Sequence, residues 1–504
     1  MALQSWGVNL LIGAVAFWLF RGIVEKIQWD RKRRAKQCGE IPSYPHWDPF
    51  FGLDVVLGMA KSLKNHYFLD WLNWVHKNRP KTFLVNFVGT RFIWTIEPEN
   101  MKSMSAFTWK SFGVGPMRRN NKATHPFADI GVNTVDGKEW EFARFLIKPF
   151  FMREKYTDTK RLEKHVDRLF SLLPEEDGVT VDVQPLIQRW FLDVVTFLLF
   201  GESLDSLVYP DRAQICWAMV DVLRGLRLRL QWYKYLFLFK HQNWLDAVSV
   251  VHKYVDSHIT KTYQEMEQID ELKSKGVDIK DERTDLLWWM ARNLKDREEL
   301  RSQMCLIFVP NNDTTSIFIS HIIWNLARHP DIYAKCREEV LAYGDGELTF
   351  EALRGMKYLN GILNETHRLY PNGVTQVRKC LEDTVLPTGG GPDGKQPIYV
   401  RKGDVVQVNK NVLHRDPEIW GDDVLEFNPD RWRELRPMWN FVPFGGGPRR
   451  CPAQMLVTAE ASYVIARIAR RYARIESRDP SPYVGVMRVG PSSKTGVKIA
   501  LYRA

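Results

Sequence analysis

The chain has 504 residues and a formal net charge of +11, long enough for one large domain with a sizeable core. Its six cysteines, Cys38, Cys216, Cys305, Cys336, Cys380 and Cys451, are scattered without a C-x-x-C pair, which excludes a disulfide scaffold and a structural zinc site and fits a reducing compartment. Much of the basic excess lies in one run, Arg31-Lys32-Arg33-Arg34-Ala35-Lys36, directly behind an apolar segment, which points to a membrane boundary instead of nucleic-acid binding.

That apolar segment covers residues 3–20 and is followed by Arg21 and a short continuation. No basic residue precedes it and no small-residue cleavage site follows, so it reads as an anchor and not as a cleaved signal. A span needs about 20 apolar residues, which this helix just meets with Arg21 snorkelling. The basic run behind it places everything after residue 30 in the cytosol. An amphipathic helix lying in the interface is the other reading. Pro42, Pro45 and Pro49 then stiffen a non-helical connector. The expected organisation is an anchor over residues 1–30, a basic and proline-rich hinge over 31–50, and one domain over 51–504.

Helical periodicity dominates that domain, over 162–173, 186–200, 245–268, 284–293, 301–328, 330–343, 358–370 and 454–473. Strand-like alternation is short, at 82–88, 92–96, 397–400 and 405–408. The predicted class is mainly α with minor sheets. The glycine-rich stretch at 388–394 reads as a loop between short strands, since it lacks the Lys-Ser/Thr of a phosphate cradle. Residues 226–245 mix Trp232, Tyr233, Tyr235, Leu236, Phe237, Leu238 and Phe239 with Arg227, Arg229, Lys234 and Lys240. That composition suits an interfacial contact, with a helix-packing surface as the alternative.

Four local patterns carry chemistry. Trp140 and Arg144 lie one helical turn apart on one face. The run 301–328, about 40 Å long, holds Pro310-Asn311-Asn312-Asp313-Thr314-Thr315 at its middle. There Pro310 frees the carbonyl of Leu306, and an acid beside a hydroxyl suits proton delivery. An ordinary polar stripe is the bland reading. Glu365 and Arg368 share a helix face and can pair, although an isolated surface pair is worth little. Finally, Phe444-Gly445-Gly446-Gly447-Pro448-Arg449-Arg450-Cys451 sets a cysteine behind a glycine-rich loop. Glycines let the backbone wrap close to a sulfur so that N–H groups can point at it. A buried inert cysteine is the alternative.

The last segment resembles the haem loop of cytochromes P450, F-x-x-G-x-R-x-C, with every fixed position filled. With Trp140-x-x-x-Arg144, Glu365-x-x-Arg368 and Phe427-Asn428-Pro429-Asp430-Arg431-Trp432, it identifies the chain as a member of that family. The resemblance implies the P450 fold, a helical bundle with minor β-sheets behind an N-terminal transmembrane helix. It implies haem b, its iron ligated by the Cys451 thiolate, a ligation that favours O–O cleavage. Trp140, Arg144, Arg378 and Arg449 would hold the propionates, with Phe444 as part of the same loop. Arg431 would complete a structural network with Glu365 and Arg368. Asp313 and Thr314 match the acid–alcohol pair that handles protons. Pro310 and Asn311 depart from the family's small residues and leave proton relay, coupling and pocket shape open.

Segments 44–54, 386–394 and 458–464 are similar to the fungal microsomal members that hydroxylate alkanes and fatty acids. The resemblance therefore implies an NADPH- and O2-dependent monooxygenase, inserting one oxygen atom into a C–H bond of a lipophilic substrate in a fungal secondary-metabolite pathway. Its implied electron donor is NADPH-cytochrome P450 reductase. Its implied place is the endoplasmic reticulum membrane, single-pass with a cytosolic catalytic domain; no nucleic-acid partner is expected. Three alternatives stand beside this: a terminal fatty-acid or alkane hydroxylase, an electron-independent P450-fold isomerase or dehydratase suggested by Pro310-Asn311, and a non-catalytic haem-binding protein.

Overall fold

Apolar side chains at helical spacing assemble most of the core. In a computed structural model, the described residues are Gly13, Phe20, Gly22, 24–278 and 283–504. Most of the anchor expected over 1–30 therefore lies outside the described residues. The helices that position the site are α1 (Gly137–Ile147), α2 (Val183–Phe200), α3 (Gln214–Gln231), α4 (Gln242–Ser274), α5 (Arg297–Leu326), α6 (Pro330–Ala342), α7 (Lys357–Leu369) and α8 (Gln454–Arg471). By length and composition α2 could cross a membrane. It is instead a core helix, with Trp190, Phe191, Leu192 and Leu199 buried and its length packed along α5.

Helix α5 starts at a cap, where the Asp296 carboxylate accepts the Glu299 N–H at 2.9 Å. It is buried nearly all round, which is why its sequence shows no single apolar stripe. At its middle, Pro310 cannot donate to Leu306.

A five-stranded sheet lies against this helical body. Its strands are β1 (Thr82–Phe87), β2 (Thr90–Thr95), β3 (Phe112–Gly113), β4 (Thr375–Cys380) and β5 (Val405–Asn409), in the order β1-β2-β5-β4-β3. Strands β2 and β5 run parallel, with Phe92 opposite Val405, and the other pairs are antiparallel. A small hairpin near the C-terminus pairs β6 (Gly485–Met487) with β7 (Pro491–Ser493).

The pattern at 358–370 forms α7 and delivers its ion pair to the interior. Arg368 bonds Glu365 twice, at 2.7 and 2.9 Å, and both side chains are 0% exposed. Arg368 also donates to the carbonyls of His414, Val424 and Glu426. Glu365 receives the Trp432 indole at 2.9 Å, the Asn428 N–H at 3.1 Å and Arg431 at 3.5 Å. Arg431 is anchored more firmly by Asp423, at 2.8 and 3.0 Å, a fourth member that the sequence pattern did not reveal. A buried charge is tolerable only when satisfied in this way.

Candidate functional site

The loop carrying Cys451 is shaped by glycines where other residues would collide. Gly447 has φ 66°, and a Cβ there would lie 1.8 Å from the Ser105 carbonyl oxygen. At Gly446 a Cβ would lie 2.2 Å from the Trp439 ring. The Cys451 N–H donates to the Phe444 carbonyl at 2.9 Å and closes the turn. Cys451 then forms part of the wall of a cavity of about 410 Å³, and no other cysteine lines it.

This cavity lies where the helical body meets the sheet. Helix α1 contributes Trp140 and Arg144, α5 contributes Pro310, Asn311 and Thr314, β4 contributes Arg378, and the glycine loop contributes Phe444 and Arg449. Among the described residues six cations line it, Arg118, Arg144, Arg378, Lys410, Arg449 and Arg450, and no carboxylate does. Arg449 bonds Asp136 at 2.7 Å and the Val135 carbonyl at 2.9 Å, with its guanidinium 4.8 Å from the Trp140 ring centre. Arg378 donates to its neighbour's carbonyl at Val377, at 2.9 Å. Burial, then Arg118 and Arg449, push its pKa down to about 9. Arg118 is pushed to about 10 by burial and by Arg449. Lys410, buried, donates to the Pro443 carbonyl at 3.4 Å and is pushed to about 8 by burial and Arg378.

Four of these cations, Arg118, Arg144, Arg378 and Lys410, are desolvated with no carboxylate bonded to them among the described residues, and they call for an anionic occupant. A haem meets that need, with two carboxylates for the arginines and a metal for the sulfur. Burial raises the Cys451 thiol, while the Ala453 N–H and the charges of Arg144, Lys410 and Arg450 favour its thiolate.

On the α5 wall the geometry separates two residues that adjoin in sequence. Thr314 lines the cavity, and its hydroxyl donates to the Pro310 carbonyl at 2.9 Å. Asn311, one turn earlier, also lines it, and its Nδ2 is buried without a partner among the described residues. Asp313, about 100° further round the helix, does not line it. Its carboxylate accepts Arg488 at 2.6 Å, with both side chains buried. Burial raises the Asp313 carboxyl, and Arg488 opposes that rise. Arg488 sits in the turn of the C-terminal hairpin, between Met487 and Val489.

The structure thus brings Trp140, Arg144, Thr314, Arg378, Phe444, Arg449 and Cys451 to one cavity and turns Asp313 behind it. Sequence reasoning missed Arg118 and Lys410. Arg118 stands in no recognisable pattern. Lys410 gave one faint signal, a charge directly after the apolar strand β5. The interfacial reading of 226–245 needs a correction at Arg229, which is buried. Its guanidinium bonds the carbonyls of Ala123, Lys122 and His125 at 2.8, 2.8 and 2.9 Å.

A second cavity of about 300 Å³ adjoins the first and shares Arg118, Gly373, Thr375, Val377 and Val489 with it. Its walls are mostly apolar, among them Trp71, Phe87, Phe92 and Met487.

Fold and site together define a haem-thiolate protein. A family model for cytochrome P450 matches residues 42–484, and the chain belongs to that family. It is 72% identical over 490 residues, 97% of this chain and 94% of the relative, to cytochrome P450 monooxygenase apdE of Emericella nidulans. It is 56% identical over 474 residues, 94% of each chain, to cytochrome P450 monooxygenase iliC of a Neonectria species. It is 55% identical over 497 residues, 98% of each chain, to cytochrome P450 monooxygenase iccC of Talaromyces variabilis. The protein is a cytochrome P450 monooxygenase, and its cofactor is a thiolate-ligated haem.

Proposed function

We propose that this monooxygenase inserts one atom of O2 into a C–H bond of a lipophilic substrate in a fungal secondary-metabolite pathway, with electrons from NADPH-cytochrome P450 reductase. One observation carries the reading. Cys451, a group of arginines and a lysine, and the polar face of α5 converge on a single cavity that continues into an apolar one. In this reading Cys451 would ligate the haem iron. Arg144, Arg378 and Arg449, with Trp140 beside them and Arg118 added, would hold its propionates. Phe444 closes the same loop, and its ring lies 4.9 Å from that of His367.

When bound, the haem supplies the oxygen activation that no side chain can. The chain's own work is to bind, to exclude water and to move protons. Apolar walls remove water from the second cavity. Thr314 works at the cavity face, where its hydroxyl can turn from the Pro310 carbonyl to pass a proton inward. Asp313 acts behind it, through its pair with Arg488. Asn311 can hold a water with its free amide.

Coupling measurements test this. Thr314→Ala is expected to keep haem content while product per NADPH falls tenfold or more and hydrogen peroxide appears, since positioned acid–base groups contribute about 10²–10⁴-fold. If Asn311 offers a parallel path, Thr314→Ala with Asn311→Gly loses far more than the two single losses combined. Intact coupling in both single variants and in the pair would show that this face of α5 does not serve the reaction.

Residues 1–30 act as the anchor in the endoplasmic reticulum membrane, and residues 31–50 as the hinge. The reading is supported by an apolar surface beside the second cavity, where Phe237 and Leu238 are 80% and 66% exposed. Trp47, Phe50 and Phe51 are exposed on a nearby segment. The two segments meet at the β1–β2 turn, where the Tyr235 hydroxyl donates to the Val88 carbonyl at 3.4 Å and Phe51 stands beside Gly89. Removing residues 1–40 is therefore expected to release the protein from microsomes only in part. Complete solubility of the truncated protein at low salt would dismiss the second contact.

A further inference from the structure

Lys410 is the cation that the propionate-binding arginines leave over. It directly follows β5, lines the haem cavity and is 5% exposed. The backbone on both sides of it is fixed. Asn409 pairs with Thr375 across the sheet, and the Asn411 N–H donates to the Val374 carbonyl at 3.1 Å. The ammonium lies against Gly373, where a Cβ would stand 2.7 Å from Nζ, so a glycine makes the room it occupies. Its bond to the Pro443 carbonyl, at 3.4 Å, is long for a charged donor. Pro443 precedes Phe444, whose carbonyl accepts the Cys451 N–H at 2.9 Å. Lys410 is thus laid against the root of the loop that presents the sulfur.

Among the described residues three cations act on the Cys451 sulfur by charge, Arg144, Lys410 and Arg450. Arg450 is exposed and Arg144 partly exposed, so solvent and salt screen them. Lys410 is the buried one, and a charge in low dielectric acts at nearly full strength. The influence is mutual, since a negative sulfur holds up the ammonium that burial and Arg378 push down. His367 packs on Phe444 but adds no charge, because burial pushes its imidazole down to about 3. We infer that Lys410 is a positioning residue that acts through Cys451: its ammonium is the buried counter-charge of the thiolate and tempers how strongly the sulfur donates to iron. Adding an electron makes the haem centre more negative, so a cation fixed beside the sulfur favours the reduced form and raises the reduction potential. The arginines then serve the propionates and the lysine serves the sulfur. The inference rests on the reading that Cys451 ligates the iron, and it adds the side chain that sets the potential of that ligation.

The test compares the haem-loaded protein with Lys410→Met and Lys410→Arg. Reduction potentials are read against redox dyes, and the C–O stretch of the reduced carbonyl complex is read by infrared absorption. In Lys410→Met the equilibrium between reduced and oxidised haem is expected to move about tenfold toward the oxidised form, about 59 mV for a one-electron couple. The C–O stretch falls with it, because a sulfur without its counter-charge donates more strongly through the iron. Lys410→Arg recovers part of both shifts. Thermal stability of Lys410→Met is expected to hold or rise, since it replaces a poorly bonded buried charge with an apolar side chain. Should Lys410→Met fail to accumulate, Lys410→Gln takes the same readings. An unchanged potential in the neutral variant overturns the inference. A lowered potential with an unchanged C–O stretch also overturns it, because the lysine would then face a propionate and not the sulfur. So does an arginine variant that behaves like the neutral one. The thiolate spectrum of the unsubstituted protein reports separately on ligation. Its absence would overturn the Cys451 reading; its presence with an unchanged potential in the variants would overturn only the role of Lys410.

Discussion

Cys451→Ala is expected to abolish the thiolate signature in the spectrum of the reduced carbonyl complex and to reduce turnover to background. Cys451 is the one cysteine on the wall of the cation-lined cavity, and the other five are buried elsewhere. Its loop has no slack to offer a substitute. Gly447 lies against the Ser105 carbonyl, Gly446 against Trp439, and the Cys451 N–H is tied to Phe444. Haem could still enter the alanine variant, because Arg144, Arg378 and Arg449 are untouched, so binding and ligation separate experimentally. Retained pigment without the thiolate band is the expected pair of results. A normal thiolate band in Cys451→Ala would show that another sulfur ligates the metal.

The largest effect on stability is expected at Arg368. Arg368→Ala removes two bonds from Glu365 and three from backbone carbonyls, leaving a fully buried carboxylate with reduced compensation. Breaking one partner of such a pair costs about 3–5 kcal/mol, a large share of the 5–15 kcal/mol that holds a typical fold. Thermal unfolding should show a drop of that size or a failure to accumulate folded protein. Arg431→Ala should cost less. Its contact to Glu365 is 3.5 Å, and its main partner Asp423 is partly exposed and can be rehydrated. If Arg431→Ala proves as costly as Arg368→Ala, Asp423 and not Glu365 is the centre of the network.

What could be read from the sequence was what is local in it. The glycine loop is eight consecutive residues, and Trp140 with Arg144 or Glu365 with Arg368 fall within one helical turn. Each therefore announced its geometry before any tertiary contact was known. The long helices also announced themselves, since α2, α4, α5, α6, α7 and α8 carry enough apolar residues to fix their period. Strand β4 did not. It is six residues long with a mixed burial pattern, and it becomes a strand because β5 and β3 pair with it from both sides.

The site was legible only in part for the same reason. Asp313 beside Thr314 looked like one working unit. Helical rotation sends the acid the other way, to an arginine 175 residues further along the chain. Arg118 and Lys410 acquire meaning only from the cavity they share with Arg378. Arg227 and Arg229 read as equivalent basic residues in sequence. One became a pocket cation and the other a clasp for three carbonyls.

The ion pair between Arg488 and Asp313 also bears on how this enzyme can be re-engineered. It pins the turn of the C-terminal hairpin to the central helix, and the residues on either side of the pin, Met487 and Val489, both line the second cavity. The turn therefore works as a fixed post with two interchangeable fittings. Combinatorial libraries that randomise positions 487 and 489 while holding Arg488 and Asp313 constant should keep a high fraction of folded clones and spread them over many pocket shapes. Libraries that include position 488 spend most of their diversity on clones with a stranded buried acid.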